Sequence, residues 1–156
     1  MNIYEYIKQD HRKVADLFQQ LYRCTSPSQK KQIIGTIGQE LLVHLEAEQE
    51  TFYQALERRA PTKAEAQQGE KEHLEIENQL SKVLNWNETE TTWEQEVKKL
   101  QRLVDHHVAE EEGVLHNLAK EVLTAKEAMS IKEDMQARKE KILENLKKKK
   151  KKKKSA

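Results

Sequence analysis

Long stretches of helical periodicity, broken at only a few positions, constrain the fold of this chain more than any other feature. Apolar residues recur every three or four positions through four segments: residues 2–22, 29–59, 62–84 and a fourth that begins at Thr92. The breaks fall at residues 24–28, at Pro61 and at WNETETT. Short connections between helices of about 20 to 30 residues predict an all-α, antiparallel up-down-up-down four-helix bundle.

Two capping-box patterns mark helix starts. Thr92 with Gln95 opens the fourth helix, and Thr124 with Glu127 opens an additional C-terminal helix. Because that last helix is charged around most of its circumference, we expect it to pack on the bundle loosely or at one end. Its thin apolar stripe consists of Met129, Met135, Ile142 and Leu146.

The charge distribution separates a body from a tail. The lysine run from Lys147 to Lys154 holds 8 of the 28 basic residues. The rest of the chain therefore has 20 basic and 27 acidic residues. The run predicts a weak anionic partner, either nucleic acid or a membrane surface, unless it is simply a solvated helix end. We divide the chain into a bundle at residues 1–123, a C-terminal helix at 124–146 and a lysine-rich tail at 147–156.

Composition excludes several classes of protein. No apolar run approaches the roughly 20 residues of a transmembrane helix, and the N-terminus has no signal-peptide pattern. A single cysteine, Cys24, cannot form an intramolecular disulfide or a thiolate metal cluster. The expected location is therefore the cytoplasm.

Histidine and glutamate stand at helix positions where core residues belong. In the second and fourth helices the apolar seam is interrupted by a histidine with a glutamate four residues later, and the first and third helices each place one histidine in the seam. Residues four apart lie about 6 Å apart along the axis and face the same way. The inward residues are His11, His44, Glu48, His73, His107 and Glu111.

These inward residues predict a metal site. Two buried carboxylates cost several kcal/mol without compensation, and no Lys or Arg falls in the predicted seams. A pair of cations would neutralise them, and imidazole with carboxylate suits iron, manganese or zinc. The alternative, core histidines bonded to ordinary neighbours, explains one such residue more easily than six. The same helical phase places His106, Glu110 and Glu112 on flanks or in solvent.

The surrounding stretches resemble the hemerythrin-like (HHE cation-binding) family over about residues 1–146. The matching stretches are DHRKVADLFQQL from Asp10, HLEAEQETFY from His44, EHLEIENQL from Glu72, HHVAEEEGVLH from His106, and the closing AKEAMSIKEDMQARKEKIL. The resemblance implies a four-helix bundle around two iron ions with an oxo or hydroxo bridge, although other divalent cations are an alternative. It also implies O₂, NO or redox chemistry at an open iron position.

Residue by residue, the resemblance implies terminal nitrogen ligands and bridging carboxylates. The terminal ligands would be His11, His44, His73 and His107, and the bridges Glu48 and Glu111. Oxygen-carrying members of the family have a second histidine in the third helix, and this chain has Glu77 at that position. Glu77 is either a further metal ligand or a residue that faces solvent. This departure disfavours simple reversible O₂ carriage.

Another departure lies five residues after each inward glutamate. The family often has an aromatic residue there, followed by proline. This chain has Tyr53 and His116 at the two positions, and neither is followed by proline.

Three functions remain open from the sequence. The first is a di-iron protein that binds a small diatomic ligand, O₂ or NO, for carriage, storage or sensing. The second is a di-iron oxidoreductase or iron-centre repair protein in nitrosative or oxidative stress. The third is a non-catalytic cation-binding module that regulates a partner through the last helix. The oligomeric state is open as well.

Overall fold

The computed structural model describes residues 1–86 and 92–155, and all regular structure in that part of the chain is helical. The elements are α1 (Ile3–Arg23), α2 (Pro27–Glu48), a first π turn (Gln49–Tyr53), α3 (Gln54–Glu57), α4 (Ala60–Leu84), α5 (Trp93–Glu110), a second π turn (Glu111–Leu115), α6 (His116–Val122) and α7 (Ala125–Ser155). Each π turn joins its flanking helices into one continuous rod. Four rods form the bundle and α7 is added to it, which confirms the predicted fold class.

Capping residues in the sequence mark the starts of α2 and α7. Ser26 caps α2 by accepting a hydrogen bond from the Gln29 backbone, and Pro27 occupies the first turn, where its missing N–H costs nothing. Thr124 and Glu127 bond each other's backbone N–H groups, which confirms the capping box before α7.

One predicted cap and one predicted boundary are wrong. Thr92 stands at the cap of α5, but its backbone is helical (φ −76°, ψ −17°) and not extended, so its side chain makes no capping bond. Pro61 does not separate two helices, because α4 already begins at Ala60 and takes Pro61 into its first turn. Residues 87–91 of the predicted break WNETETT lie outside the described residues.

The buried apolar residues form two clusters. One lies around Phe18, Ile37 and Leu100, and the other around Ile7, Phe52 and Leu115, toward the opposite end of the bundle. In α1, the buried residues Ile7 and Val14 belong to different clusters, and His11 lies between them. The bundle therefore has a polar layer between two apolar cores.

The second π turn shifts which residues of the fourth rod face inward. Val114 was predicted to lie in the core, but it is 42% exposed, and Leu118 is only half-buried. Leu115 and Ala119 are buried in their place, because the additional residue of the π turn advances the seam by one position. Leu84 was also predicted to face the core, but it is 42% exposed. It lies in the last turn of α4, where its side chain contacts Gly38 of α2.

Helix α7 packs along the bundle, so the expectation of loose or end-on packing is wrong. Met135 and Ile142 are buried against α1, α2 and the first π turn, and Ala128 continues the same stripe at a spacing of seven. Met129, predicted in this stripe, is 54% exposed. The helix continues through the lysine run to Ser155. No helix in the described part of the chain is long and apolar enough to cross a membrane.

Candidate metal centre

The polar layer brings together residues from every rod of the bundle. Its members are His11 from α1, His44 and Glu48 from α2, His73 from α4, His107 from α5 and Glu111 from the second π turn. Their donor atoms form two groups, and within each group all atoms lie within 4.8 Å of one another. The first group is His11, His44, Glu48 and Glu111, and the second is Glu48, His73, His107 and Glu111. Both glutamates therefore belong to both groups.

Glu111 lies between two histidines of different groups. Its Oε1 is 3.2 Å from Nε2 of His11, and its Oε2 is 3.5 Å from Nε2 of His107. The hydroxyl of Tyr53 donates a short hydrogen bond to the same Oε2. Burial alone raises the pKa of Glu111, but His107 and His11 outweigh burial and hold that pKa well below its ordinary value.

Glu48 makes the matching arrangement on the other side. Its Oε2 is 3.4 Å from Nε2 of His44, and its Oε1 is 3.0 Å from Nε2 of His73. The side chain is fully buried, and neither carboxylate oxygen has a hydrogen bond of good geometry. An ionised carboxylate in that position is costly unless a cation lies beside it.

Each histidine of the layer is oriented by a hydrogen bond from its Nδ1 atom to an outer acceptor. The bonds run from His11 to Glu112 (3.1 Å), His44 to Asp10 (2.8 Å), His73 to Gln49 (2.8 Å) and His107 to Glu72 (2.9 Å). Every acceptor is a carboxylate or amide oxygen, so Nδ1 carries the proton and donates. A neutral ring of that tautomer presents the lone pair of Nε2 to the interior, which is the form that binds a metal, whereas without metal His44 and His107 also carry a proton on Nε2.

The electrostatics of the layer favour positive charge. Burial lowers the pKa of His44, but Glu48 and Asp10 outweigh it and raise that pKa to about 10. Glu111 and Glu72 likewise outweigh burial at His107, whose pKa also rises to about 10. At these two histidines a proton is therefore held more tightly than in water, whereas burial lowers the pKa of His73.

The residues present fit a pair of metal ions. Several buried donor atoms lack any hydrogen-bond partner: Nε2 of His11 and His44, both oxygens of Glu48 and Oε1 of Glu111. Four imidazoles and two carboxylates, without a thiolate in the two groups, suit iron, manganese or zinc better than copper(I).

Glu77 and His106 lie outside both groups. Glu77 is half-buried and lines an outer groove with Leu84 and Leu146, between α2, α4 and α7. The side chain of His106 is 65% exposed and its Nε2 is 3.3 Å from Glu72. The neighbouring His107 is buried in the layer.

The outer acceptors were missed by sequence reasoning, although two of them carry a signal. Asp10 directly precedes His11 but bonds His44, and Glu72 directly precedes His73 but bonds His107. An acid before an inward histidine thus serves the histidine of another helix. Glu112, which the helical phase predicts on a flank or in solvent, is half-buried and orients His11.

Tyr53 is a further residue of the centre. The first π turn carries it into the core, where its ring stacks on His73 with centroids 4.9 Å apart at 18°. Gly69 of α4 leaves the space for it, since a Cβ at Gly69 would lie 2.7 Å from the Tyr53 hydroxyl oxygen. Single π turns of this kind are frequent at functional sites.

His116 lies beyond the second π turn and is buried without a partner for either ring nitrogen. Its ring packs against Tyr4 and Phe52, with centroids 5.2 and 5.7 Å away. Burial lowers its pKa, so the ring is neutral at physiological pH.

A four-helix bundle whose inward histidines surround two shared glutamates defines a hemerythrin-like cation-binding protein. The family model described as the Hemerythrin HHE cation binding domain matches residues 2–119. The chain belongs to that family, which confirms the resemblance in the sequence.

Two similar proteins show how far the likeness extends. A DNA nickase from Nostoc sp. is 27% identical over 146 residues, which cover 94% of this chain but 41% of that relative. The chain thus spans less than half of that relative's length. The crystal structure of a Hemerythrin HHE cation binding domain-containing protein from Mycobacterium kansasii, an Rv2633c homolog, superposes with a TM-score of 0.79 at 26% identity. That match covers 90% of this chain and 86% of the other.

Proposed function

We propose that this protein holds two iron ions in the polar layer and binds a small diatomic ligand, O₂ or NO, for carriage, storage or sensing. His11 and His44 would bind one ion and His73 and His107 the other, with Glu48 and Glu111 shared. Iron in this setting would supply a redox couple and an open binding position.

The sharing of both glutamates carries this proposal. One carboxylate between two histidines is common as a buried ion pair, but here each of two carboxylates lies near histidines of both groups. A single cation would satisfy one group and leave charge uncompensated in the other. Two cations satisfy both.

Each group offers four protein donors, fewer than the six positions of an octahedral ion. Glu77 does not complete either group, and we propose that it is not a ligand. The vacant positions are what a small ligand would use. The apolar clusters on both sides, with the fully buried Phe18 and Phe52, limit the access of water.

Metal analysis of protein purified without a metal-affinity step tests the proposal. The expected content is about two irons per chain, and addition of NO or O₂ should change the absorption spectrum of the reduced protein. Glu77→Gln should leave the iron content unchanged, as a matched acidic control outside the layer. Zinc alone, or no metal at all, would contradict the proposal and support a non-catalytic cation-binding module.

An oxidoreductase of nitrosative or oxidative stress is the second candidate, and Tyr53 favours it. The Tyr53 hydroxyl donates to Glu111 inside the centre, so a proton donor is already in place for reduction of a bound ligand. Catalytic consumption of peroxide or NO would support this function. Recovery of unchanged ligand and unchanged reduced protein on purging would support carriage. Tyr53→Phe should slow turnover if the hydroxyl supplies the proton.

We also propose weak binding of a polyanion by the lysine run at residues 147–154. The run continues α7 as a helix, while the rest of the chain is acidic. Deletion of residues 147–156 should abolish retention on heparin, because the acidic body repels the same partner. Retention that survives the deletion would refute this role.

A further inference from the structure

Helix α7 reaches the candidate metal centre through Lys139, a half-buried lysine. Lys139 bonds both carboxylate oxygens of Asp10 at 2.8 Å, and Asp10 accepts the hydrogen bond of His44 Nδ1 at 2.8 Å. These three side chains are largely shielded from water. A continuous path of charge and hydrogen bonds therefore runs from α7 to an inward histidine. Lys139 lies beyond residues 2–119, the part that the family model matches.

The ammonium group is fixed from more than one direction. Its Nζ lies 5.0 Å from the centre of the Tyr6 ring, a cation–π contact on the side of α1. On the next residue, Arg138 pairs with Glu50 of the first π turn and lies 3.8 Å from Glu46. The contact of Lys139 with Asp10 thus belongs to a docked helix and not to a free surface side chain.

We propose that Lys139 is a positioning residue of the metal centre, which acts through Asp10 on the orientation and donor strength of His44. The inference rests on the proposed metal-binding function. It makes Lys139 of α7 a part of the centre, because the Lys139–Asp10 contact is the link from α7 to His44.

The direction of the effect follows from charge. A carboxylate that accepts from Nδ1–H makes Nε2 a stronger donor to a metal, and a lysine on that carboxylate weakens the effect by withdrawing negative charge. Loss of the lysine should therefore strengthen donation from His44. A stronger donor favours the oxidised metal, so the midpoint potential should fall.

Lys139→Met tests the inference on the full chain loaded anaerobically with ferrous iron. At the wild-type midpoint potential, the ratio of oxidised to reduced iron should rise by roughly tenfold, the lower end of the effect that outer partners of metal ligands have on metal affinity. Lys139→Arg keeps the positive charge and should restore most of the wild-type ratio. Lys141→Met removes an exposed lysine from the same helix and should leave the ratio unchanged.

Arg138→Met distinguishes the effect of Lys139 on His44 from the general docking of α7. It removes an ion pair that holds α7 on the bundle but leaves the contact between Lys139 and Asp10 in place. It should raise hydrogen exchange in α7 and leave the ratio of oxidised to reduced iron unchanged. Equal ratios for Lys139→Met and Lys141→Met would overturn the inference. An equal shift in Arg138→Met would also overturn it, since docking alone would then explain the effect. Failure of the wild-type chain to bind iron would instead refute the proposed function itself.

Discussion

At the scale of single residues, each histidine of the centre uses its two ring nitrogens differently. Nδ1 bonds an outer acceptor and Nε2 faces the shared carboxylates, as His73 shows with Gln49 and Glu48. Helical spacing in the sequence is enough to choose His107 over His106 as the inward residue. It does not identify the acceptors, because these belong to other helices and depend on how the helices are placed in space.

Replacement of an outer acceptor should weaken metal binding without removing a ligand. In Glu72→Gln, the charged acceptor for His107 Nδ1 becomes a neutral amide, so Nε2 becomes a poorer donor. We expect metal affinity to fall about tenfold, measured by competition with a chelator. Glu75→Gln, at an exposed position on the same helix, is the control. Equal affinities in the two variants would show that Glu72 has no part in the site.

His116 should be replaceable by the aromatic residue that the family often has there. The buried ring leaves two nitrogens unpartnered, and an unsatisfied buried polar group costs about 1–3 kcal/mol. His116→Phe removes that cost and keeps the packing against Tyr4 and Phe52. Urea unfolding should show a gain of roughly 1 kcal/mol. A loss of stability together with a loss of metal would instead give His116 a role in the centre.

At the scale of helices, the second π turn accounts for the errors of sequence reasoning in the fourth rod. Up to Glu111 the predicted inward residues of the fourth rod are buried. After Glu111 the prediction of Val114 and Leu118 fails, because one additional residue in a turn moves every later side chain by about 100°. Periodicity assumes a constant turn, and neither π turn carries a proline or another marker in the sequence.

The contact between α4 and the first π turn should tolerate no side chain at Gly69. A methyl group there would overlap the Tyr53 ring, so Gly69→Ala should destabilise the fold by about 1–3 kcal/mol and weaken metal binding. Gly35→Ala in α2 is the matched control. Its Cβ would meet no atom within 4 Å, so it should stabilise by about 0.5–1 kcal/mol. Thermal unfolding of both variants measures the difference, and a neutral Gly69→Ala would mean that Tyr53 moves freely.

At the scale of the whole molecule, two apolar clusters enclose one charged layer. The clusters and the bundle could be predicted from periodicity, and so could the presence of inward charge. The route of α7 could not, since most of its circumference is charged and its buried stripe begins at Ala128 rather than Met129. Ion pairs of Arg138 with an acid of the first π turn and of Lys139 with an acid of α1 accompany its docking, and such pairs cannot be predicted from helical spacing.

The charged layer should make the metal-free protein sensitive to alkaline pH. The pKa values of His44 and His107 are raised from 6.5 to about 10, so their protonation stabilises the fold fully below pH 6.5. That contribution is lost as pH rises toward 10. The free energy of unfolding in urea should therefore be lower at pH 9 than at pH 6. Metal-loaded protein should lack this decline, because metal ions replace the protons. A metal-free protein that is equally stable at both values would contradict the assignment.

We propose that two cations share Glu48 and Glu111, and anaerobic titration with ferrous iron tests this arrangement most directly. The wild-type chain should bind about two irons. Glu48→Gln and Glu111→Gln should each weaken both sites together, since each carboxylate faces both groups. A variant that loses one iron and holds the other with wild-type affinity would contradict the shared arrangement.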